Sequence, residues 1–296
     1  MNFVHTFWSK PFLNNRFNKY QELLPVILTD YAYSCACVKS KGHSIRLFTD
    51  KFGADFLGFI PYDEIVILDN LDNESTNFAA QIKFAALKQM RLDEILIDGD
   101  LFIKNPQAFE MIDSINYDAL YSFYEPIEYT LMNFSKEKIV YYNTILTIVN
   151  NLKPKFIQTY SREFSTDDCY WPNTSLLKFS NQELKDEYVK QYEYHKSLLS
   201  DYDFGHSWPD IWIEQKHLDL LVNSKYKGRP LIYGYPKESA NSYSAGVGFI
   251  HLGSGKVKYQ DYVLKWLCEL DKKLYNSVLS QIELYKQKTN HFRNQF

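Results

Sequence analysis

The chain has 296 residues, a length that suits one large domain or two small ones. Its 33 Lys and Arg against 36 Asp and Glu give a net charge of −3, which argues against a protein that mainly coats nucleic acid. The 11 glycines are too few to favour a Gly-rich phosphate loop, so a nucleotide site in this chain must hold phosphate by other means. The 24 Tyr, 21 Phe and 5 Trp fit a thick core, and they also fit sites that stack the rings of bases or sugars.

The first hundred residues predict strands and helices in alternation. Short β-prone or continuously apolar segments predict strands at residues 2–8, 44–50, 64–69 and 94–98. Apolar residues at helical spacing predict helices at residues 23–39 and 76–91, with a short helical piece after the second strand. Strands that alternate with helices are typical of an open α/β sheet covered by helices.

The alternation becomes irregular after residue 100. Strands are predicted at residues 117–124, 173–179 and 246–252, and helices around 135–151, at 181–197, at 208–222 and from 259 to the end. The whole pattern predicts an α/β fold with an open mixed sheet flanked by helices, followed by C-terminal helices. Because no internal repeat and no Pro/Gly/Ser-rich linker occurs, we expect a single domain over residues 1–296, with a change of role near residue 110.

The cysteines and the two chain termini indicate where in the cell the protein is expected. The four cysteines lack the CxxC spacing of metal sites, and we expect reduced, buried thiols. The N-terminus lacks a signal-peptide pattern and no run of 18 apolar residues occurs, which predicts a cytoplasmic protein. Basic residues among aromatics in the last turns (Lys286, Lys288, Arg293) suit weak peripheral contact with the inner face of a membrane. The alternative is a packed helix with a solvated tail.

The most informative motif is Asp98-Gly99-Asp100, which follows the buried strand predicted at residues 94–98. In an open α/β sheet the ligand crevice lies outside the carboxyl ends of the strands. Two carboxylates there suit Mg²⁺ or Mn²⁺, and Gly99 would let a diphosphate or sugar approach the backbone closely. The alternative is a turn with two solvated acids, because Asp and Gly are also common turn residues.

Several segments, in chain order, resemble those of glycosyltransferases with the GT-A fold, the nucleotide-diphospho-sugar transferase superfamily. In those enzymes a DxD motif ends the fourth strand of the nucleotide-binding half, as Asp98-Gly99-Asp100 does here. HLGSGK at 251–256 resembles the late His-Gly-Lys segment of glycogenin-like transferases, and the chain is also similar to bacterial polysaccharide-type transferases. The other matching segments are HTFW at 5–8, SIRLFTD at 44–50, Lys83, WPNTSLLKF at 171–179 and IEQKHLDLL at 213–221.

The resemblance implies a donor site with a divalent ion, Mn²⁺ or Mg²⁺. The implied metal ligands are Asp98, Asp100 and His251. The residues implied to contact the nucleotide-diphosphate donor are Thr6, Phe7, Trp8, Lys83, Asp98, Gly99, Asp100 and Lys256. Phe7 and Trp8 would stack the base, although aromatic residues at the end of a first strand fit a core equally well. Lys258 is the alternative to Lys256, because the family's lysine usually stands six residues after the histidine and these two stand five and seven after His251.

The resemblance also implies residues that act on the reacting sugar or the acceptor. These are Asn173, Asp210, Glu214 and Gln215. An inverting enzyme needs a general base for the acceptor hydroxyl, whereas a retaining enzyme needs a polar group under the anomeric carbon, for which Gln215 or Asn173 is suitable. The sequence departs from the family at Lys83, where an arginine is usual, and at Thr174-Ser175, where Gly or Ala is usual.

The implied activity is a metal-dependent glycosyltransferase of the hexosyltransferase type. It would move a sugar from a nucleotide-diphosphate donor, with a UDP-sugar favoured, to a glycan or lipid-linked acceptor, as in polysaccharide biosynthesis. Residues 1–110 would form the nucleotide-sugar-binding half, 111–255 the acceptor half and 256–296 a C-terminal helical segment.

Two other classes compete with this interpretation. A haloacid-dehalogenase-type phosphatase also places DxD after a strand, but on the first strand and with Thr or Val where this chain has Phe102. A non-catalytic glycan- or nucleotide-binding protein could keep the fold without the activity. The GSGK at 253–256 is not a P-loop, because Ile250 stands where the first glycine is required and Val257 replaces the Ser or Thr.

Overall fold

The structure is a computed structural model that describes residues 1–13, 20–71, 74–76, 78–114, 116–126, 170–200, 209–232, 248–252 and 256–293. In chain order the elements are β1 (Asn2–Phe7), α1 (Ser9–Leu13), α2 (Tyr20–Lys39), β2 (Ser44–Thr49), α3 (Lys51–Leu57), β3 (Glu64–Ile67), a 3-10 turn (Asp69–Leu71), α4 (Gln81–Leu87), β4 (Glu94–Ile97), β5 (Leu101–Ile103), α5 (Pro106–Ser114), β6 (Ala119–Pro126), β7 (Tyr170–Phe179), α6 (Gln182–Leu199), α7 (Pro209–Ser224), β8 (Gly228–Ile232), β9 (Phe249–His251), α8 (Lys256–Leu270) and α9 (Lys272–Arg293).

Seven strands form a mostly parallel sheet in the order β3-β2-β1-β4-β7-β6-β8, and β5 pairs with β9 in a separate two-stranded ribbon. β1, β2 and β3 run parallel to one another, as do β6 and β8, whereas β6 and β7 are antiparallel. Every residue of β4 is buried, which is why this segment reads as a continuous apolar run. The predicted α/β fold, with a mixed sheet flanked by helices, is confirmed.

The chain divides into two compact units. Unit 1 comprises residues 1–72, 96–113 and 238–296, and α2 is its central helix. This helix packs against β2, β5, α8 and α9. Its buried side chains include Leu24, Val26, Leu28, Ala32, Cys35 and Cys37. Both thiols are free, and burial raises the pKa of each to about 12, as predicted for core cysteines. The free Cys268 was also predicted to be buried but is half-buried, and Cys169 lies outside the described residues.

Unit 2 comprises residues 73–95 and 114–237. α6 packs against α4, α7 and β7, and its side chains fill the core with aromatic rings. Tyr192 stacks on Phe84 with ring centroids 3.5 Å apart, and Tyr188 lies 4.9 Å from the same ring. Asn181 caps the start of α6 by accepting a hydrogen bond from the Leu184 amide at 3.1 Å. Part of the aromatic surplus of the sequence therefore lies in this core.

Several predicted elements have different bounds in the structure. The helix predicted at 76–91 is only α4, Gln81–Leu87, and its N-cap residue Ala80 makes no side-chain capping hydrogen bond. The C-terminal helical stretch is two helices, because Asp271 interrupts it and caps α9 through the Leu274 amide at 2.9 Å. The predictions did not include β5, α5 or β8. The helix predicted around 135–151 lies outside the described residues, and the predicted halves of the domain stay predictions.

Within the described ranges, no helix combines the length and the apolar character that crossing a bilayer requires. The weak membrane contact expected of the C-terminal turns has no support in the structure. Lys286, one of its basic residues, pairs with Glu283 on the same helix at 3.3 Å.

Candidate functional site

The Asp98-Gly99-Asp100 motif lies in unit 1 and forms a tight turn between two buried strands, β4 and β5. β4 ends at Ile97, β5 begins at Leu101, and the Leu101 amide donates to the Asp98 carbonyl at 3.0 Å. Asp100 is only 5% exposed. The apolar strands on either side anchor the turn, so its two carboxylates are held at the end of β4 where the sequence placed them.

The ribbon of β5 and β9 brings a histidine to this turn. Leu101 pairs with His251 in the antiparallel register, and the Leu252 amide donates to the Asp100 carbonyl at 3.2 Å. The ribbon begins at Gly248, whose φ of 82° favours glycine and whose Cα faces Asn105 so closely that a Cβ would lie 2.1 Å from that side chain. Strand pairing therefore fixes His251 beside Asp100.

Asp98, Asp100 and His251 form what we call the acid cluster. One ligand atom from each can be chosen so that all three lie within 4.8 Å of one another. The His251 Nε2 is 3.6 Å from an Asp100 carboxylate oxygen. Ligands at about 2.1 Å from an octahedral ion lie about 3 Å apart when adjacent and about 4.2 Å apart when opposite, so small side-chain adjustments would complete a metal site. Two carboxylates suit Mg²⁺ or Mn²⁺, and the imidazole favours the transition ion Mn²⁺.

Lys256 contacts the acid cluster from the first residue of α8. Its Nζ lies 2.8 Å from Asp100 Oδ2. Lys258 is exposed, and its Nζ lies 5.5 Å from the centroid of the Tyr259 ring. Of the two lysines that the sequence left open, Lys256 is the one beside the acids.

The charges of this cluster support one another. Burial alone would raise the pKa of Asp100, but Lys256 and His251 outweigh it and hold that pKa well below its usual range. Burial alone would lower the pKa of His251 and Lys256, but Asp100 raises both. Without a metal ion, the histidine therefore tends to keep a proton, which it must release before its nitrogen can coordinate a cation.

Helix α2 supplies residues to this region that sequence reasoning missed. The Tyr31 hydroxyl donates to the Thr6 carbonyl at 2.6 Å, and the Tyr31 ring lies so close to Gly99 that a Cβ there would be 2.3 Å from it. This contact explains the glycine between the two aspartates. Asp30, the preceding residue, is 2% exposed, and burial raises the pKa of its carboxyl well above the ordinary value. The sequence signal that could have identified Asp30 and Tyr31 is the presence of polar residues in an otherwise apolar helix.

A series of hydrogen bonds connects the backbone of β5 to Ser34, His5 and Tyr62. The Ser34 hydroxyl donates to the Leu101 carbonyl at 2.7 Å, and His5 Nε2 lies 3.0 Å from the same hydroxyl. Since that hydroxyl has one proton, His5 donates through Nε2 and accepts from the Tyr62 hydroxyl at Nδ1, 2.9 Å away. Burial lowers the pKa of His5 to about 3, so the ring is neutral.

The three residues expected near the nucleotide base lie at the end of β1 and directly after it. Thr6 is buried and its carbonyl binds Tyr31. Phe7 is 6% exposed and stacks on Phe56 with ring centroids 5.7 Å apart, which places it in the core. Trp8 is equally buried, and its Nε1 has no hydrogen-bond acceptor among the described residues.

In unit 2, Lys83, Thr174 and Glu214 form what we call the Glu214 cluster. The Lys83 Nζ donates to Glu214 Oε1 at 3.0 Å, and the Thr174 hydroxyl donates to the same oxygen. All three side chains are largely buried, with Lys83 at 16% exposed. Lys83 was predicted as a diphosphate contact and Glu214 as a residue that acts on the sugar, and the structure pairs them. Thr174 was noted only as a departure from the family.

The other three residues predicted to act on the sugar or the acceptor also lie in unit 2. Asn173 Oδ1 accepts from the Ser175 amide at 2.9 Å, and Ser122 Oγ lies 3.3 Å from the same oxygen. Gln215 is half-buried on α7. Asp210 belongs to the first turn of the same helix, but its side chain is outside what the structure describes.

Comparisons with known proteins add limited information. The model of a family of unknown function, DUF6734, matches residues 1–129. No curated protein matches the chain. Among solved structures, the glycosyltransferase GlyE of Streptococcus pneumoniae TIGR4 is similar, with 11% identity and a TM-score of 0.42. The match covers 94% of this chain and 64% of GlyE, so this chain spans somewhat less than two thirds of that protein. A likeness of this degree assigns neither a donor nor an acceptor.

Proposed function

We propose that this protein is a divalent-metal-dependent glycosyltransferase that uses a nucleotide-diphosphate sugar, with UDP as the favoured nucleotide. The observation that carries the proposal is the acid cluster, with Lys256 against it at 2.8 Å from Asp100. Two carboxylates, an imidazole and an ammonium at the end of a buried strand are the groups that bind a metal–diphosphate pair. The sequence resemblance to GT-A enzymes supports the same conclusion.

The chemistry of such a donor explains these residue types. When the anomeric bond breaks, negative charge builds on the departing diphosphate, and cations that face it stabilise the transition state. A bound divalent ion would supply Lewis-acid stabilisation of that charge. Asp98, Asp100 and neutral His251 would hold the ion, and the Lys256 ammonium would contribute a further positive charge to the diphosphate.

The proposed role of the Glu214 cluster is to orient hydroxyl groups of a sugar. Glu214 Oε1 accepts hydrogen bonds from both Lys83 and Thr174, so this oxygen is poorly suited to take a proton from an acceptor. Glu214 then acts by holding Lys83 and its own second oxygen in place. Gln215 and Asn173 remain the candidates for the polar group under the anomeric carbon, and Asp210 is the remaining carboxylate candidate for a general base.

The acceptor under this proposal is a glycan or a lipid-linked sugar, because the Glu214 cluster offers neutral hydrogen bonding to hydroxyls. A phosphatase of the haloacid-dehalogenase type is not favoured, since the DxD turn follows β4 and Phe102 is fully buried in β5. A binding protein without transferase activity would hold metal and nucleotide and show no turnover.

The test begins with thermal unfolding in the presence of UDP or GDP, with and without Mn²⁺. A ligand at 100 times its Kd stabilises the native state by about 2.7 kcal/mol, so a clear rise in melting temperature is expected for UDP with Mn²⁺. A panel of nucleotide sugars then follows, with release of the nucleoside diphosphate as the readout and EDTA as the metal-free control. If neither nucleotide shifts the melting point under any metal condition, the proposal is wrong. Binding without turnover on the whole panel would favour the binding protein.

A further inference from the structure

Asp30 is a buried carboxyl group that the roles above do not use. It lies on α2, is 2% exposed, and neither of its carboxylate oxygens has a hydrogen-bond donor among the described residues. Carboxyl groups in protein interiors are normally hydrogen-bonded or paired, because burial of an uncompensated charge is expensive. A buried carboxyl group that has no described donor and lies near a charged cluster indicates that a partner reaches it in another state of the protein.

Lys256 is a cation whose charge lowers the pKa of that carboxyl against the raising effect of burial. Its ammonium is paired with Asp100 at 2.8 Å, and the electrostatic fields of Asp100 and Asp30 both act on it. The lysine side chain is 38% exposed, so four methylene groups are free to reorient its end. α2 packs directly against α8, the helix that Lys256 begins.

A divalent ion in the acid cluster competes with Lys256 for the same carboxylate. Asp100 supplies a ligand oxygen in every arrangement that uses the three residues, and Lys256 already binds its Oδ2. A lysine ammonium and a divalent cation repel each other when they share one carboxylate. Metal binding therefore favours departure of the ammonium from Asp100 to another anion.

We propose that Asp30 is this second anion, so that Lys256 moves from Asp100 to Asp30 when the acid cluster takes up a divalent ion. The inference rests on the proposed metal site and adds a positioning residue to it. The exchange keeps the Lys256 ammonium beside the ion, where it can face a diphosphate. It also keeps the ammonium from moving out into solvent. Burial raises the pKa of the Asp30 carboxyl and the charge of Lys256 lowers it, so the approach of the ammonium favours the ionised carboxylate.

The experiment measures Mn²⁺ affinity, without nucleotide, from the electron paramagnetic resonance signal of the free ion. Four proteins are compared: the natural chain, Asp30→Asn, Lys256→Met and the double variant. Asp30→Asn should weaken Mn²⁺ binding about 10-fold, because Lys256 then stays on Asp100 and competes. Lys256→Met should bind Mn²⁺ at least as tightly as the natural chain, and adding Asp30→Asn to it should change nothing. Asp113→Asn, an exposed acid of α5 in the same unit, is the control.

The pattern of affinities decides between the proposals. If Asp30→Asn binds Mn²⁺ like the natural chain, or loses the same factor in the Lys256→Met background, the exchange does not occur. If the natural chain binds no Mn²⁺, the metal site itself is wrong and the proposed function falls with it.

A second measurement follows the natural chain itself, and the Lys256→Met variant serves only to assign the signal. In the NMR spectrum of ¹⁵N-labelled lysine side chains, the ammonium signal that Lys256→Met removes should persist and shift when Mg²⁺ is added. Disappearance of that signal through rapid exchange with water would show that the ammonium goes to solvent, which overturns the assignment of Asp30.

Discussion

The acid cluster of unit 1 and the Glu214 cluster of unit 2 both place opposite charges in contact, but in different proportions. With a neutral histidine, the acid cluster has two carboxylates against one ammonium, Lys256. The Glu214 cluster has one carboxylate against one ammonium at 3.0 Å, with the Thr174 hydroxyl on the same oxygen. Once His251 has released its proton, the first arrangement has negative charge to share with a cation, whereas the Lys83–Glu214 pair has no net charge of its own.

This difference is consistent with the two roles proposed for the clusters. An excess of carboxylates attracts a metal ion, which can then bring a diphosphate with it. A neutral ion pair offers hydrogen bonds without net charge, which suits the hydroxyl groups of a sugar. The proposal therefore gives residues of similar type distinct roles that depend on the charges around them.

The largest expected effect is on metal binding by Asp100→Asn. Replacing a residue that only hydrogen-bonds to a metal ligand typically reduces metal affinity about 10- to 100-fold. Replacing a ligand itself should therefore weaken Mn²⁺ binding by more than about 100-fold. The measurement is Mn²⁺ titration by electron paramagnetic resonance, with a melting curve to show that the variant folds. The exposed Asp113→Asn variant should bind as the natural chain does. Near-normal Mn²⁺ binding by Asp100→Asn would show that the acid cluster does not hold the ion, and the proposed difference between the two clusters would then be wrong.

A smaller effect is expected from pH, because Asp100 raises the pKa of His251 against the lowering effect of burial. Below that pKa the imidazole carries a proton that the ion must displace, so Mn²⁺ affinity should rise with pH by up to about 10-fold per unit until the histidine is neutral. Titrations at pH 6, 7 and 8 measure this. His251→Gln should bind more weakly and lose the dependence; a dependence that survives the substitution assigns it to another group.

The smallest effect is expected in unit 2, from Thr174→Val. This change keeps the shape of a side chain that is 2% exposed but removes the hydroxyl that donates to Glu214. Loss of that bond should lower the free energy of unfolding by about 1–2 kcal/mol, measured with urea. Mn²⁺ affinity should be unchanged, and Thr174→Ser should restore stability. A loss of Mn²⁺ affinity in Thr174→Val would contradict the separate roles of the two clusters.

The sequence predicted the elements whose pattern is local. The alternation of strands and helices up to residue 98 and the position of Asp98 and Asp100 after β4 agree with the structure, because burial of a parallel strand leaves a continuous apolar run. Lys256 could not be chosen over Lys258 from spacing alone, since the start of α8 decides which lysine faces the acids.

What the sequence did not predict depends on contacts between distant segments. β5 has three residues, too few to show a period, and its pairing with β9, whose strand was predicted, places His251 against Asp100. The resemblance to a family suggested this histidine, and periodicity did not. Asp30 and Tyr31 were missed for a related reason: helical spacing marks the face of α2 that is buried, and it does not identify the turn that this face covers.

The pairing of β5 with β9 also has a consequence for protein synthesis. About half of the chain separates Leu101 from its partner His251, so a ribosome completes the DxD turn long before it makes the third ligand. Closing such a long segment carries an entropic cost and belongs to the slow, non-local part of folding. A nascent or truncated chain that ends before residue 251 therefore carries both aspartates without the histidine, and the three candidate ligands come together only after that residue has been made.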